Sequence, residues 1–371
     1  MRDKASQAYQ LLQLIAISGE LPAESLYRLD GGEHYREKFI TGLKNDKLIR
    51  TYYKDKLRGY RLTMKAKKIL LSDNYERFSF YLDGCVDTNQ IRSEITRRLR
   101  LHRLAETYLT MMRASIVIYI DDKPGIFHNY GDVSEPSQTF AISTPAFYTS
   151  REFKNLGLDA IKIRNTRSVG VLFSPNTAFI AYNTGSTILK WDYKSEMRAK
   201  AMLRNICVQR LPASHINTAI NAIMLGATIG LGYDLLTSKG GTKRNYFMLD
   251  GNFDSFHYIT HDHAGEILLQ LLCNDDCRRE LNSILLQGCT PPNAKLLIEN
   301  DGIDGSGNPV LLAYDFDMPR ISKFSTALRL QNKQGILICF DYQRDVLSAF
   351  CGERVTVQTI DLTKFERRFF A

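Results

Sequence analysis

Basic side chains are concentrated in one short stretch of this chain. Residues 36–68 hold 12 Lys and Arg against Glu37, Asp46 and Asp55. Flexible cations at this density bind phosphate groups and displace the counterions that surround a nucleic acid. The charge of the whole chain is just as uneven, since residues 1–115 hold 22 Lys and Arg against 14 Asp and Glu, whereas the remaining 256 residues hold 27 against 26. The first third of the chain is therefore predicted to contact a polyanion.

Carboxylates form a second group that could do chemistry. They follow apolar runs (LLIEN, LLAYDFD and ICFDY) that are typical of strands, and they are Glu299, Asp315, Asp317 and Asp341. Parallel strands end at one edge of a sheet, where carboxylates could hold Mg²⁺ for phosphodiester chemistry. Asp is also common at strand ends as a turn or cap residue. The preferred interpretation assigns no catalytic residue.

Histidines and cysteines form a third group, with residue types that bind metals. They are His257, His261, Asp262, His263, Cys273 and Cys277. Their spacing matches neither a zinc finger nor an HExxH helix, so they are interpreted as polar loop residues. We expect neither a metal nor another cofactor.

A glycine series in GATIGLGYD comprises Gly226, Gly230 and Gly232. Residues 219–236 are predicted to form a buried helix, and the series is expected to lack both the preceding strand and the following helix of a dinucleotide site. The glycines are therefore assigned to close helix packing. The sequence contains no GxxxxGK[ST] motif, which argues against an NTPase with a P-loop.

The elements predicted around the basic stretch have a definite order. A helix over residues 6–18 ends at Gly19, and a short helix with Pro22 in its first turn follows. The turn Asp30-Gly31-Gly32 leads into a third helix, Glu33–Asn45. Two strands, LIRTYY and GYRLT, flank the charged turn KDKLRG, and a last helix begins after Thr63. Three helices, a hairpin and a helix are the order of a winged helix-turn-helix.

The third helix is expected to enter the major groove of DNA. Its apolar stripe is predicted to be Tyr35, Phe39, Ile40 and Leu43. The helical step then turns outward His34, Glu37, Lys38, Thr41, Lys44 and Asn45. Arg36 fits badly, because it points closer to the core than a free guanidinium should. At the hairpin, the predicted DNA contacts are Lys54, Lys56, Arg58, Tyr60 and Arg61.

The rest of the chain is predicted to be α/β. Residues 73–87 are expected to be irregular, and residues 90–112 to form an Arg-rich connector helix. Arg97 and Arg98 on this helix are assigned to DNA, with a solvated or intramolecular role left open. A strand over 114–120, a hairpin around Pro175, a helix over 193–208 and a C-terminal βαβαβ unit follow. The predicted domains are 1–75, 76–113 and 114–371, with a division of the last near 240 left open.

The sequence shows neither a signal peptide nor an apolar run long enough to span a membrane. Seven cysteines, odd in number and scattered, fit a reducing compartment. We therefore expect a cytoplasmic protein without membrane contact.

Two stretches carry a resemblance to known proteins. YRLTMKAKKILL resembles the passage from wing to last helix, Y-x-L-T-x-K-G-x-x-L-L, of many bacterial winged-helix proteins, with Ala66 where Gly is usual. AFYTSREFKN, RSVGVLFSPNTAFIAYNTG and LKWDYKSEMRAKAML resemble the replication-relaxation proteins of plasmids and integrative conjugative elements in Gram-positive bacteria. The resemblance implies a second domain of divergent restriction-endonuclease type, which cleaves with an Asp followed on the next strand by Glu-x-Lys. The hairpin FSPNTAFIAYN lacks these residues, so that site would be lost.

Two hypotheses remain. The first is a sequence-specific protein that binds double-stranded DNA of a mobile element, with a non-catalytic α/β domain for homodimer formation or for recruiting replication or conjugation proteins. The alternative is a metal-dependent nuclease or relaxase-like enzyme that uses Glu299, Asp315, Asp317 and Asp341. The absence of recognisable nuclease or relaxase signatures favours the first.

Overall fold

The computed structural model describes residues 6–127, 139–154, 163, 165–212, 219–241, 246–292 and 297–370. The protein is mixed α/β, as predicted, and divides into two compact units. The first unit comprises Met1–Arg113 and Val117–Pro124, and the second comprises Ala114–Ile116 and Gly125–Ala371. None of the helices in the described ranges combines the length and apolar character needed to cross a bilayer.

In its described residues, the first unit has five α-helices and a three-stranded antiparallel sheet of order β1-β3-β2. Its elements are α1 (Gln7–Ser18), β1 (Leu21–Pro22), a 3₁₀ helix (Ala23–Arg28), α2 (Glu33–Asn45), β2 (Ile49–Lys54), β3 (Leu57–Leu62), α3 (Met64–Asp73), α4 (Tyr75–Leu82) and α5 (Ile95–Arg113).

Local signals set the ends of the early helices. The Ser6 hydroxyl accepts a hydrogen bond from the Tyr9 amide at the start of α1, and Gly19 ends the helix with a φ of 83°. Helix α2 has the predicted bounds but a narrower apolar stripe, because Tyr35 is half exposed. The guanidinium of Arg36 donates to the Leu29 carbonyl at 2.9 Å, which explains why it turns away from solvent.

Strands β2 and β3 form a tighter hairpin than predicted. Lys54 pairs with Leu57, so only Asp55 and Lys56 make the turn, with φ values of 52° and 61°. Positive φ at both turn residues gives the turn the twist of the flanking strands. Leu21 on β1 pairs with Tyr60 on the other side of β3, which makes β3 the central strand. This third strand was not predicted.

Two expectations for residues 73–120 were wrong. The segment expected to be irregular contains α4, capped by Asn74, and the described residues 114–120 form turns instead of a strand. The expected connector helix is α5, and it lies in the core of the first unit with Tyr108 and Leu109 fully buried. Residues 117–124 return to the same unit, where Asp121 forms an ion pair with Arg77 at 2.7 Å.

A five-stranded sheet begins the second unit, with strands in chain order: β4 (Ala146–Thr149), β5 (Ser168–Phe173), β6 (Ala178–Gly185), β7 (Ile220–Gly226) and β8 (Phe256–Thr260). Its helices are α6 (Ser150–Lys154), α7 (Tyr193–Arg210) and α8 (Gly230–Thr237). Strands β4, β5 and β6 are antiparallel neighbours, whereas β6, β7 and β8 are parallel. The predicted hairpin of β5 and β6 is confirmed.

The predicted buried helix over residues 219–236 is wrong. The structure has strand β7 there, followed by helix α8. A fully buried strand is apolar on both faces, so its pattern resembles that of a buried helix. Gly226 therefore ends a strand and Gly230 begins a helix, contrary to the expectation that the glycine series lacked both.

A four-stranded sheet of order β12-β11-β10-β9 completes the second unit. Its strands are β9 (Gly302–Ile303), β10 (Pro309–Leu312), β11 (Gly335–Phe340) and β12 (Val355–Ile360), and the nearby helices are α9 (His263–Leu272), α10 (Asp275–Leu285), α11 (Met318–Gln331), α12 (Arg344–Cys351) and α13 (Leu362–Phe369). Strands β10, β11 and β12 are parallel. Hydrogen bonding joins this part to strand β8, since the Tyr258 amide donates to the Phe316 carbonyl. The unit continues through residue 240, where a division had been left open.

Candidate functional site

Helix α2 presents a polar face to solvent. Ile40 and Leu43 are buried, and the helical step places on the opposite side the exposed residues His34, Glu37, Lys38, Thr41 and Asn45. Lys44 is half-buried, with its ammonium 5.2 Å from the centre of the Tyr60 ring. This cation–π contact links α2 to strand β3. The structure thus exposes the predicted contact residues of this helix, with Lys44 at the edge of the face.

The β2–β3 hairpin carries three cations near its turn. Lys54, Lys56 and Arg58 are exposed, and none of them forms an ion pair within the described part of the chain. The two-residue turn brings their backbones close together, because Lys54 and Leu57 are cross-strand partners. Because these exposed charges have no ion pair among the described residues, they are available to an anion.

Tyr60 and Arg61 were predicted to contact DNA, and the structure corrects both. They are buried because β3 is the central strand and both of its faces are covered. The guanidinium of Arg61 lies 2.7 Å from the Glu20 carboxylate and 3.7 Å from the centre of the Tyr52 ring. A buried guanidinium with these partners cannot reach a phosphate on the surface.

Arg98 is corrected in the same way, since its side chain is 0% exposed. It donates to the Glu20 carboxylate and to the carbonyls of Lys54 and Leu57, at 2.8 and 3.1 Å. Arg97 remains 43% exposed but forms an ion pair with Glu94 at 3.0 Å. Helix α5 therefore uses Arg98 within the first unit, which was the alternative left open for the connector helix.

Glu20 is the centre of this buried charge network. Burial alone would raise the pKa of its carboxyl group, but hydrogen bonds from His102, Arg98 and Arg61 lower that pKa to about 2. The His102 ring nitrogen lies 2.9 Å from Oε1. One carboxylate thus satisfies side chains from β3 and α5, and these charges serve to hold the hairpin instead of a ligand.

Sequence reasoning missed two exposed residues of the hairpin, Arg50 and Tyr53. Tyr53 is 67% exposed and pairs across the strands with Arg58. An exposed aromatic ring beside cations is typical of surfaces that stack on nucleotides. Strand alternation in IRTYYK places Tyr53 on the same face as the buried Ile49, so alternation alone does not reveal that Tyr53 is exposed.

Two of the four predicted carboxylates come together. Asp315 and Asp317 lie near His257, and one possible ligand atom from each residue lies within 4.8 Å of the others. Glu299 is outside this group and forms an ion pair with Arg320 at 2.9 Å. Asp341 is also outside it and is exposed. The proposed four-carboxylate cluster of the alternative hypothesis is therefore absent from the described residues.

The histidine and cysteine group does not assemble as a unit. His257 belongs to strand β8, whereas Asp262 caps helix α9 by accepting from the Gly265 amide. His263 lies 3.0 Å from Glu366. Burial raises the pKa of the Cys273 thiol to about 12 and that of Cys277 to about 11, so both stay protonated near neutral pH. The interpretation as polar loop residues was wrong for His257 in β8, His263 in α9 and Cys277 in α10.

Buried acids near the β5–β6 hairpin accept hydrogen bonds from within the protein. The Glu196 carboxylate accepts from the Tyr182 hydroxyl at 2.7 Å and from the Arg167 amide at 2.8 Å. Glu152 accepts from the amide and hydroxyl of Thr149. Strands β5 and β6 themselves carry no Asp, Glu or Lys.

Comparisons with family models, curated proteins and solved structures gave no match to this chain.

Proposed function

We propose that the first unit is a winged helix-turn-helix that binds duplex DNA, with α2 as the reading helix and the β2–β3 hairpin as the wing. The exposed cations Lys38, Lys54, Lys56 and Arg58, all without an ion pair in the described chain, carry this proposal. They lie on two elements that the contact between Lys44 and Tyr60 joins. Free cations on a helix and a neighbouring hairpin suit the two kinds of contact that duplex recognition needs.

The two elements take different tasks in this proposal. An α-helix fits the major groove, where Lys38 and Asn45 can donate to base edges that differ between base pairs. The cations of the hairpin bind phosphates or enter the minor groove, which positions the helix without selecting a sequence. Tyr60, Arg61 and Arg98 have no place in this interface, because they are buried.

The resemblance to replication-relaxation proteins extends the proposal. The DNA would be an origin, a transfer site or a promoter of a mobile element, and the partners would be replication or conjugation proteins. The second unit would serve assembly, including homodimer formation, because its nearly balanced charge offers no strong attraction for DNA.

Salt dependence and one triple variant test the proposed interface. Affinity for a duplex selected from a random library should fall roughly a thousandfold between about 50 and 200 mM salt, given about six phosphate contacts. Changing Lys54, Lys56 and Arg58 together to Ala should weaken binding to all sequences equally and lower the salt slope by about 3. Lys38→Ala should in addition reduce the preference for the selected sequence. Fluorescence anisotropy measures all three effects.

A matched triple variant provides the control. Lys323, Lys364 and Arg367 are exposed basic residues of the second unit, and changing them to Ala removes the same charge. This control should leave the salt slope nearly unchanged. Normal binding by the hairpin variant, or binding that is indifferent to salt, would show that DNA does not follow the proposed path.

The second unit is expected to have no phosphodiesterase activity. The acids near the β5–β6 hairpin are hydrogen-bonded within the protein, and Glu299 and Asp341 lie outside the group formed by Asp315 and Asp317. Supercoiled plasmid incubated with the protein and Mg²⁺ or Mn²⁺ should stay supercoiled. Nicking that disappears when Asp315 and Asp317 are both changed to Asn would instead make the protein an enzyme.

A further inference from the structure

His257, Asp315 and Asp317 meet in the interior of the second unit. His257 lies at the beginning of β8, and the two Asp residues flank Phe316 in the segment between β10 and α11. An antiparallel bridge between His257 and Asp317 brings the two segments together. Nδ1 of His257 lies 3.0 Å from the Asp315 carbonyl and 3.7 Å from its carboxylate. Two distant parts of the chain thus deliver three side chains to one point.

The Asp317 carboxylate is only partly satisfied there. Its side chain is 98% buried, since the residue has a relative exposure of 2%. Oδ1 accepts a hydrogen bond from the Phe256 amide at 3.1 Å, whereas Oδ2 makes no hydrogen bond within the described part of the chain. A carboxylate in a residue this deeply buried is costly unless hydrogen bonds or a cation compensate its charge.

Nearby protein cations are already engaged. Arg320 follows the cluster on α11, but it donates to Glu299 at 2.9 Å and to Asp301 at 2.7 Å. Within the cluster, two carboxylates face one imidazole. The three side chains together thus offer one imidazole and two carboxyl groups as possible ligands.

We propose that His257, Asp315 and Asp317 bind a divalent transition-metal ion of the Zn²⁺ or Mn²⁺ kind. Ligand atoms about 2.1 Å from an ion can be at most about 4.2 Å apart. The observed separation of up to 4.8 Å therefore closes with small side-chain movements. An imidazole nitrogen beside two carboxylates suits these ions better than Mg²⁺ or Ca²⁺, which prefer oxygen ligands alone. The ion would fasten strand β8 to the segment before α11, independently of DNA binding.

Metal titration of the full chain tests this site. After EDTA treatment and dialysis, calorimetry should show one Zn²⁺ or Mn²⁺ bound per chain, and Mg²⁺ at the same concentration should not bind. The unfolding transition seen by Trp191 fluorescence should move to higher temperature with Zn²⁺, because the single Trp lies in this unit. His257→Gln and Asp317→Asn should each weaken binding about tenfold or more.

His263→Gln is the matched control, because His263 also lies beside carboxylates, Glu266 and Glu366, but outside the cluster. Its metal affinity should equal that of the unchanged protein. Buried variants can misfold, so pulsed electron paramagnetic resonance of Mn²⁺ on the unchanged protein gives a second measurement. Coupling to an imidazole nitrogen is expected. Failure of both metals to bind at about 1 mM, a bound Mn²⁺ without nitrogen coupling, or full affinity in a folded His257→Gln variant would each overturn the proposal.

Discussion

Glu20 shows at the scale of one residue how the first unit balances its charge. Its carboxylate is completely buried and lies within 3.2 Å of nitrogen atoms from Arg61, Arg98 and His102. Buried ions cost free energy unless they are paired and hydrogen-bonded, and here each cation depends on the same anion. Loss of Glu20 would leave two guanidinium groups buried without a counterion.

The stability of the first unit should therefore depend on pH within a defined acidic range. The pKa of Glu20 falls from an ordinary value of 4.5 to about 2 on folding. A carboxyl group whose pKa is lowered stabilises the fold above its unfolded pKa, and this stabilisation is lost as pH falls from about 4.5 towards 2. The pKa difference corresponds to about 3 kcal/mol. Glu20→Gln should remove this pH dependence and cost about 3–5 kcal/mol at pH 7.

Chemical unfolding at several pH values measures the effect. Trp191 lies in the second unit, so a transition seen by circular dichroism but not by tryptophan fluorescence belongs to the first unit. Glu37→Gln, which changes an exposed carboxylate, should leave the acid dependence unchanged. If Glu20→Gln lost as much unfolding free energy as the unchanged protein when the pH falls from about 4.5 towards 2, other groups would set the pH dependence.

Exposure could be predicted for α2 but not for the arginines around Glu20. The exposure of Lys38, Thr41 and Asn45 follows from the helical step, which can be calculated from neighbouring residues alone. The burial of Arg61 and Arg98 depends on Glu20, which is 41 and 78 residues away in the chain. Counting charges along a local stretch of sequence assigns Arg61 and Arg98 to a binding surface, although both are buried with the distant Glu20.

At the scale of elements, helix α5 holds the β2–β3 hairpin through hydrogen bonds to backbone carbonyls of the hairpin. Arg98 donates to the carbonyls of Lys54 and Leu57, the residues on either side of the turn. The side chains of Lys54, Lys56 and Arg58 stay in solvent. Arg98 therefore positions the hairpin. In the proposed complex it would support the hairpin cations without contacting DNA itself.

Arg98→Lys should loosen the hairpin while keeping the charge, because an ammonium cannot reproduce the fork of a guanidinium. Hydrogen exchange of the β2 and β3 amides should become faster, and DNA affinity should fall. The salt slope should stay the same, since no phosphate contact is lost. Exchange measured by mass spectrometry and anisotropy at several salt concentrations give both quantities.

Arg100→Lys serves as the comparison, because Arg100 is exposed and pairs with Asp87. It should change neither the exchange nor the affinity. If Arg98→Lys lowered the salt slope by about 1 and left the hairpin amides protected, Arg98 would have to reach phosphate.

Elements with local start and stop signals could be predicted, and those decided by packing could not. Ser6, Gly19 and Thr63 mark helix ends through hydrogen bonds or φ values that belong to the residue itself. Helix α4 escaped prediction because its sequence, YERFSFYL, is rich in aromatic residues with modest helix propensity. Burial of Phe78 against its surroundings, which the sequence does not display, stabilises it.

At the scale of the whole molecule, the excess of positive charge belongs to the first third of the chain. If the first unit alone attracts DNA, association will depend on salt through that unit, and the second unit remains free for other partners. The geometry within each unit fits this division of tasks, because the exposed cations without an ion pair lie on α2 and the hairpin, whereas the group of His257, Asp315 and Asp317 lies in the second unit.

The return of residues 117–124 to the first unit has a consequence for how this protein could be recombined with others. The first unit is not one continuous stretch of sequence, because residues 114–116 belong to the second unit and residues 117–124 to the first. A fragment that contains the whole first unit therefore ends at Pro124 and not at Arg113. A fragment ending at 113 loses the ion pairs of Arg77 with Asp121 and Asp122 and should melt at a clearly lower temperature than a fragment ending at 124. Equal melting temperatures by circular dichroism would contradict this. Successful natural fusions of this unit should carry residues 114–124 with them.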